Sequence, residues 1–175
     1  MMKKTIGQLA TLMAFLSFTQ VVEAQNQLTV NPGFETGRKG WYYDAKDGIA
    51  DLVSDQPHSG AAALKLSSAE GKGVKFFYTR PEEQGLSFKA GKSYHLKAWV
   101  KVLAPTRHID LRIYSTTGFK EGQDIEVSVK GKGLKLNEWQ QITFEFKGSN
   151  YDKGKFAIGI NLGEVIFDDI ELVEL

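Results

Sequence analysis

Two groups of side chains in this sequence carry binding chemistry. The first is acidic and sits at the two ends of the chain: Asn31-Pro32-Gly33-Phe34-Glu35 near the start, and Ile166-Phe167-Asp168-Asp169-Ile170-Glu171-Leu172 near the end. Asp168 shares strand parity with Ile166, Ile170 and Leu172, which read as core positions. A carboxylate facing inward at a sheet margin is costly unless it is paired, hydrogen-bonded or metal-bound. Calcium is the hard cation that carboxylates and backbone carbonyls take, and Gly33 and Gly60 let the main chain approach without a Cβ. Backbone N–H groups of the first loop donating to Asp168 would meet the same need. Residue types alone leave both readings open.

The second group is aromatic and polar. It comprises Trp41, Trp99 and Trp139 with six tyrosines, and Trp41-Tyr42-Tyr43-Asp44 reads as a loop-like run after Gly40. Arg112 and Tyr114 fall on the polar face of one strand-like run, Asn161 on that of another, and Trp99 on that of a third. Rings beside amides, carboxylates and a guanidinium are what a sugar-binding groove requires. Ring faces cover the C–H faces of pyranoses, and a guanidinium's five donors in a fixed fork suit vicinal hydroxyls. The plainer alternative makes Trp41 and Trp139 core or edge aromatics and pairs Arg112 with a neighbouring carboxylate.

Catalytic constellations are missing. With no cysteine, thiol nucleophiles, disulfides and thiolate zinc sites are excluded. His58, His95 and His108 show no metal-ligand spacing, although His95 and His108 could meet across neighbouring strands. No Gly-x-Ser-x-Gly elbow occurs. Glu121, Asp124 and Glu126 are the best-placed carboxylates for glycoside hydrolysis, but among lysines they read as a solvated face. Gly71-Lys72-Gly73 and Gly131-Lys132-Gly133 read as turns and lack the Lys-Ser/Thr pair of a phosphate loop. No catalytic residue is assigned.

The elements that position these groups are strands. The chain has 175 residues, 22 basic and 21 acidic side chains and 42% hydrophobic residues, which fits one soluble domain and gives no basic patch for nucleic acid. Residues 1–24 read as an export signal: Lys3 and Lys4 precede an interrupted apolar stretch, and Val22-Glu23-Ala24 leads to a cut before Gln25. That stretch is too short to span a bilayer comfortably, so no membrane insertion is expected after cleavage. Residues 25–175 form the single domain, exported to periplasm, cell surface or medium. Nine strand-like runs are separated by turns: Gly48–Val53, Ala62–Ser67, Val74–Tyr78, Ser93–Val102, His108–Ser115, Ile125–Val129, Trp139–Phe146, Lys155–Leu162 and Val165–Leu175, with the fourth, fifth, seventh and eighth alternating apolar and polar residues. With no helical stripe, the expected fold is all-β, a two-sheet antiparallel β-sandwich or jelly roll.

Ordered blocks then point to a family. Asn31-Pro32-Gly33-Phe34-Glu35, Gly40-Trp41, Ser59-Gly60-Ala61-Ala62-Ala63-Leu64 and Gly91 through Val100 come first. Asn137 through Phe146 and Val165 through Leu172 close the series. Together they resemble the carbohydrate-binding modules of the CenC-like group (families 4, 9, 16 and 22), within the galactose-binding-like jelly rolls. The resemblance implies a non-catalytic module with a structural calcium: Asp168 as side-chain ligand, carbonyls near Gly33 and Gly60, Glu35 as a second carboxylate and Asp169 as a weaker candidate. It also assigns Trp41 to hydrophobic packing. Arg112 and Asn161 match strand positions that contact glycans in some members, and Tyr43 lies near another. Tyr114 is added from strand parity, and Trp99 because it too lies on a polar face. Ala157 departs from the polar residue of some glucan-binding relatives.

The expected function is a secreted carbohydrate-binding protein taking a plant- or host-type polysaccharide or oligosaccharide in a groove on the concave sheet. Such modules usually hang from a glycosidase, whereas here the export segment leads directly into the domain, so a free-standing module is expected. The alternative is a structural or protein-binding jelly roll with a partner protein in the cell envelope and no sugar binding.

Overall fold

The structure is a computed structural model that describes residues 25–43, 49–70, 74–80, 82–83, 85–115, 125–148 and 151–175. The export segment read at 1–24 lies outside the described residues, as do Asp44, Glu121 and Asp124.

Among the described residues, eleven strands and one 3₁₀ turn follow in chain order. They are β1 (Trp41–Tyr43), β2 (Ile49–Val53), β3 (Ala63–Ser68), β4 (Val74–Thr79), β5 (Leu86–Phe88) and β6 (Ser93–Ala104), then β7 (His108–Ser115), β8 (Ile125–Lys130), the turn at Gly131–Gly133, β9 (Trp139–Lys147), β10 (Tyr151–Asn161) and β11 (Gly163–Glu174). Sheet A runs β1-β4-β10-β7-β8, with β5 also paired to β10. Sheet B runs β2-β3-β11-β6-β9. Every strand pairing is antiparallel. The all-β sandwich expected from the alternation is the fold observed.

The alternation works as the period of two requires. On β6, Tyr94, Leu96, Ala98, Val100 and Val102 are buried between the sheets, while His95, Lys97, Trp99 and Lys101 lie on the opposite face. On β7, Ile109, Leu111 and Ile113 enter the core opposite Ile160, Ile158 and Phe156 of β10. Each such fully buried side chain contributes about 1.5–3 kcal/mol relative to exposure. Trp41 closes one end of the core: its ring stacks on Phe77 at 5.6 Å and packs against Phe34 at 5.2 Å.

Three sequence expectations change. Trp41–Tyr43 is a strand rather than a loop, and Leu86–Phe88 is a strand with no counterpart in the reading; three residues are too few to display a period of two. Leu162 lies outside the strands, in the tight turn to β11, where Leu162 and Gly163 take φ of 71° and 83°.

Asp168 does not share parity with Ile170 and Leu172. Phe167 pairs with Val100 on the core face, so Asp168, opposite Trp99, points to the outer side of sheet B. The register then shifts between Asp168 and Glu171, with Asp169 at φ 45°, and the bulge returns Ile170 and Leu172 to the core. Asp168 is nevertheless fully buried, because loops rather than the opposing sheet cover it.

Candidate functional site

The outward face of sheet A is built by three central strands in register. Ala157 of β10 lies between Tyr78 of β4 and Arg112 of β7, Gly159 between Phe76 and Asp110, and Asn161 between Val74 and His108. Beyond β7, Glu126, Ser128 and Lys130 of β8 stand opposite Arg112, Asp110 and His108. Ala157 has 0% exposure although it points away from the core, and the next β10 position on that face is Gly159, so this strand carries only small residues there. Arg112 and Asn161 share this face, four register steps apart, roughly 13 Å at about 3.3 Å per residue.

Arg112 Nη2 donates to Glu126 Oε1 at 2.7 Å, a cross-strand ion pair between partly exposed side chains. The pairing that the plainer reading foresaw is therefore present, and it orients the guanidinium fork along the sheet face. Tyr114 follows Arg112 by two residues and is paired with Lys155, and Tyr43 is paired with Phe77; the side chains of both tyrosines lie outside the described residues. With Trp41 in the core, Tyr42 lies on the outward face. Lys155 Nζ donates to the Tyr42 hydroxyl at 3.1 Å, and Lys155 Nζ and the Arg80 guanidinium each lie 5.8 Å from its ring centroid. A three-residue strand after a Gly40 turn resembles a loop in sequence, which hides Tyr42; the contrast of Trp41 with its neighbour is the one signal.

Trp99 does not join these residues. It stands on the outer face of sheet B, where the His58 ring stacks on it at 4.0 Å and also meets Trp139 edge-on at 5.3 Å. His95 and His108 belong to different sheets and do not pair across strands.

The acidic corner assembles as the sequence predicts in place, though not in every partner. Asp168 Oδ2 accepts the backbone N–H groups of His58 at 2.8 Å and Ser59 at 3.2 Å, and Oδ1 accepts the N–H of Asp169 at 2.8 Å. The donors come from the loop before β3, not from the first loop. Burial pushes the Asp168 carboxyl above its ordinary value of 3.8, the three N–H groups pull it back, and the charge of Asp169 raises it further. Asp169 accepts from the Ser59 hydroxyl at 2.8 Å and meets His58 Nδ1 at 2.7 Å. The first loop closes over both through Ile170 N–H to Pro32 O at 3.2 Å.

Gly33 faces the two carboxylates. A Cβ there would sit 3.4 Å from Asp169 Oδ1 and 3.6 Å from Asp168 Oδ1, filling the space in front of both oxygens. Glu35 is exposed, with its carboxylate on the N–H groups of Ala61 at 2.8 Å and Ala62 at 3.4 Å. Gly60, at φ 61°, packs so closely on Glu35 that a Cβ would collide with it. Among the described residues no three His, Cys, Asp or Glu side chains are grouped to hold a metal. The donor chemistry still fits a hard cation: two anionic oxygens of different residues converge, one carboxylate fully buried, beside a main chain without a Cβ.

A family model described as "Carbohydrate binding domain" matches residues 26–162. Among solved structures, a family 16 carbohydrate-binding module aligns with a TM-score of 0.60 at 19% identity, over 83% of this chain and 98% of that one. A family 61 module, TmCBM61, solved with β-1,4-galactotriose, gives 0.54 at 21%, over 87% and 100%. The enzymatically active domain of bacteriophage CBA120 tailspike protein 4 gives 0.62 at 12%, over 86% of this chain, which spans only 21% of the tailspike chain. At these identities the structural likeness is one of fold. Comparison with curated proteins finds no match.

Proposed function

Because the chain belongs to the carbohydrate binding domain family, a group of non-catalytic jelly rolls, we propose that it captures its glycan in a trough on the outward face of sheet A. The observation that carries this reading is the buried floor of Ala157 and Gly159, flanked by Arg112 on β7 and by the β4 strand that pairs with Tyr42. Small residues let a flat ring approach the sheet, the Tyr42 ring offers a stacking face, and Arg112 and Asn161 supply the hydrogen bonds. Tyr114, two residues beyond Arg112 on the same strand face, extends this set. The missing polar side chain at Ala157 moves the hydrogen-bonding load onto β7, so the glycan preference differs from that of relatives with a polar floor.

The proposal includes a structural calcium held by Asp168 and Asp169, with carbonyls of the first loop near Gly33 and of the loop around Gly60. Glu35 acts there by fixing Gly60 and Ala61. When bound, the cation supplies the positive charge that two converging carboxylates need. Export through residues 1–24 would deliver the domain to an envelope or extracellular glycan.

The test is affinity electrophoresis against xylan, mixed-linkage β-glucan, mannan and β-1,4-galactan with calcium present, followed by titration calorimetry of any hit. Binding that disappears in Arg112→Ala, with the fold intact by circular dichroism, supports the trough. Retention by Arg112→Ala moves the site elsewhere. Silence of the folded protein across the panel favours the protein-binding alternative, which a pull-down from the envelope of the source cell would pursue.

A further inference from the structure

Asp110 lies on the polar face of β7, yet it is 1% exposed. It stands on the outward face of sheet A, two residues from Arg112, with Gly159 on one side and Ser128 on the other. One oxygen is fully engaged: Oδ1 meets His108 Nδ1 at 2.8 Å and accepts the Ser128 hydroxyl. The other, Oδ2, is buried and has no hydrogen-bond partner among the described residues.

A buried carboxylate oxygen without a donor is costly, and folded proteins almost always satisfy such atoms with protein or water. Here the neighbouring β10 position is Gly159, which brings no side chain to that spot. The two donors on Oδ1 fix the carboxylate so that Oδ2 is held in one place. Both arrangements are those of an acceptor kept in readiness rather than of a structural ion pair.

Resting on the reading of this face as the glycan site, we propose that Asp110 is a specificity-determining residue whose Oδ2 accepts a hydroxyl proton of the bound sugar, next to the hydroxyls addressed by Arg112. An Asp and an Arg at alternate positions of one strand supply an acceptor and a donor fork on the same side of the sheet. A sugar ring offers hydroxyls that can both donate and accept, so one ring can engage both side chains. Oδ2 is shielded from solvent, so admitting the sugar takes a rotamer change among the side chains around it while the Ser128 hydroxyl holds Oδ1 in place. Such rotamer changes at partly exposed residues are fast compared with binding.

The experiment uses the full chain, recovered after export, with xylan, mixed-linkage β-glucan, mannan and β-1,4-galactan as probes. Asp110→Asn keeps the shape and an acceptor for His108 and Ser128 while putting an amide NH₂ in the place of Oδ2. It is expected to weaken binding about tenfold or more, the range of a hydrogen bond to a charged group, with a cooperative thermal transition retained. Should this variant not fold, Asp110→Glu, which keeps the charge and displaces the oxygen, is expected to give the same loss. A folded Asp110 variant that binds within about twofold of the parent, while Arg112→Ala has lost binding, overturns the inference and leaves the site standing; Oδ2 is then served by water. A parent protein that binds none of the probes removes the reading beneath it, and this inference falls with it.

Discussion

The carboxylate of Asp168 accepts the backbone N–H of His58 at 2.8 Å across 110 positions of sequence. This one bond ties the last strand to the loop that leads into β3, and Ser59 N–H on the same oxygen doubles it. Asp169 repeats the tie through side chains, with His58 Nδ1 at 2.7 Å and the Ser59 hydroxyl at 2.8 Å. A bulge in β11 makes both ties available, since it sends two consecutive aspartates out of the core between Phe167 and Ile170. The loop, the bulge and the first turn of the domain therefore form one unit.

Removing the Asp168 side chain leaves three backbone N–H groups without an acceptor. Asp168→Ala is expected to lower stability by about 2–4 kcal/mol, since each unsatisfied buried donor costs about 1–3 kcal/mol and neighbouring losses do not add fully. Urea denaturation in chelator measures that part. Calcium should then raise the thermal midpoint of the parent protein and not that of the variant, because a ligand held only by the native state stabilises by mass action. Identical parent melting curves in calcium and in chelator would remove the cation from the corner.

The same carboxylate makes a pH prediction. Burial raises its folded-state value above 3.8, so the folded protein holds that proton more tightly than the unfolded chain does. Below about pH 3.8 Asp168 is protonated in both states and costs nothing. As the pH rises from there through the folded value, the parent loses stability relative to Asp168→Asn, which does not titrate. Paired urea titrations in chelator across the acid range should show that difference growing with pH and then levelling. A difference that shrinks with rising pH would mean that the three N–H groups outweigh burial.

Much of this corner was legible in the sequence, and the reasons are specific. Asp168 stood out because a carboxylate within an apolar run needs a partner whatever the fold, and it is fully buried. Its face was misread because a bulge inserts a residue without changing composition, so parity counted through Asp169 fails. On sheet A, eight-residue β7 showed its alternation plainly, and Arg112 and Asn161 fall on one face as their parities require. Tyr42 was hidden by the brevity of its strand. Asp110 was hidden differently: alternation distinguishes the two faces of a sheet and carries no information about what covers the outer one.

Tyr42 gives a direct check on the trough. The Arg80 and Lys155 cations each lie 5.8 Å from its ring centroid, and its hydroxyl accepts from Lys155. Tyr42→Ala removes the stacking face and is expected to reduce affinity for whichever polysaccharide binds by about tenfold, the equivalent of an aromatic contact near 1–1.5 kcal/mol. Tyr42→Phe keeps the face and should stay within about threefold. Equal losses in the two variants would assign the effect to the hydroxyl and to Lys155, and no loss in either would take the ring out of the site. Calorimetric titration distinguishes these results.

Trp41 is the contrasting aromatic, one residue earlier and on the other face. It is fully buried against Phe34 and Phe77, and its Nε1–H donates to Asn31 O at 3.1 Å. Trp41→Ala is expected to destabilise by about 3–5 kcal/mol through cavity formation. In folded molecules it should leave glycan affinity nearly unchanged, because the ring does not reach the outward face. Denaturant midpoints and affinity gels on the same preparation test both halves. A large affinity loss in a fully folded variant would mean that this end of the core positions β1 for binding.

Gly33 distinguishes a metal from hydrogen bonds alone in the acidic corner. Its missing Cβ leaves open the space in front of Asp169 Oδ1 and Asp168 Oδ1, and at 3.4 and 3.6 Å respectively an added methyl would make ordinary contact rather than a clash. Gly33→Ala is therefore expected to change stability in chelator by less than about 1 kcal/mol, while all three N–H bonds to Asp168 persist. If a cation occupies that space, the methyl displaces it, and the rise in thermal midpoint on adding calcium should fall by at least half. Thermal melts of parent and variant in chelator and in millimolar calcium give the four numbers needed. An undiminished calcium response would place the ion away from Gly33 and make the two aspartates a hydrogen-bonded clamp.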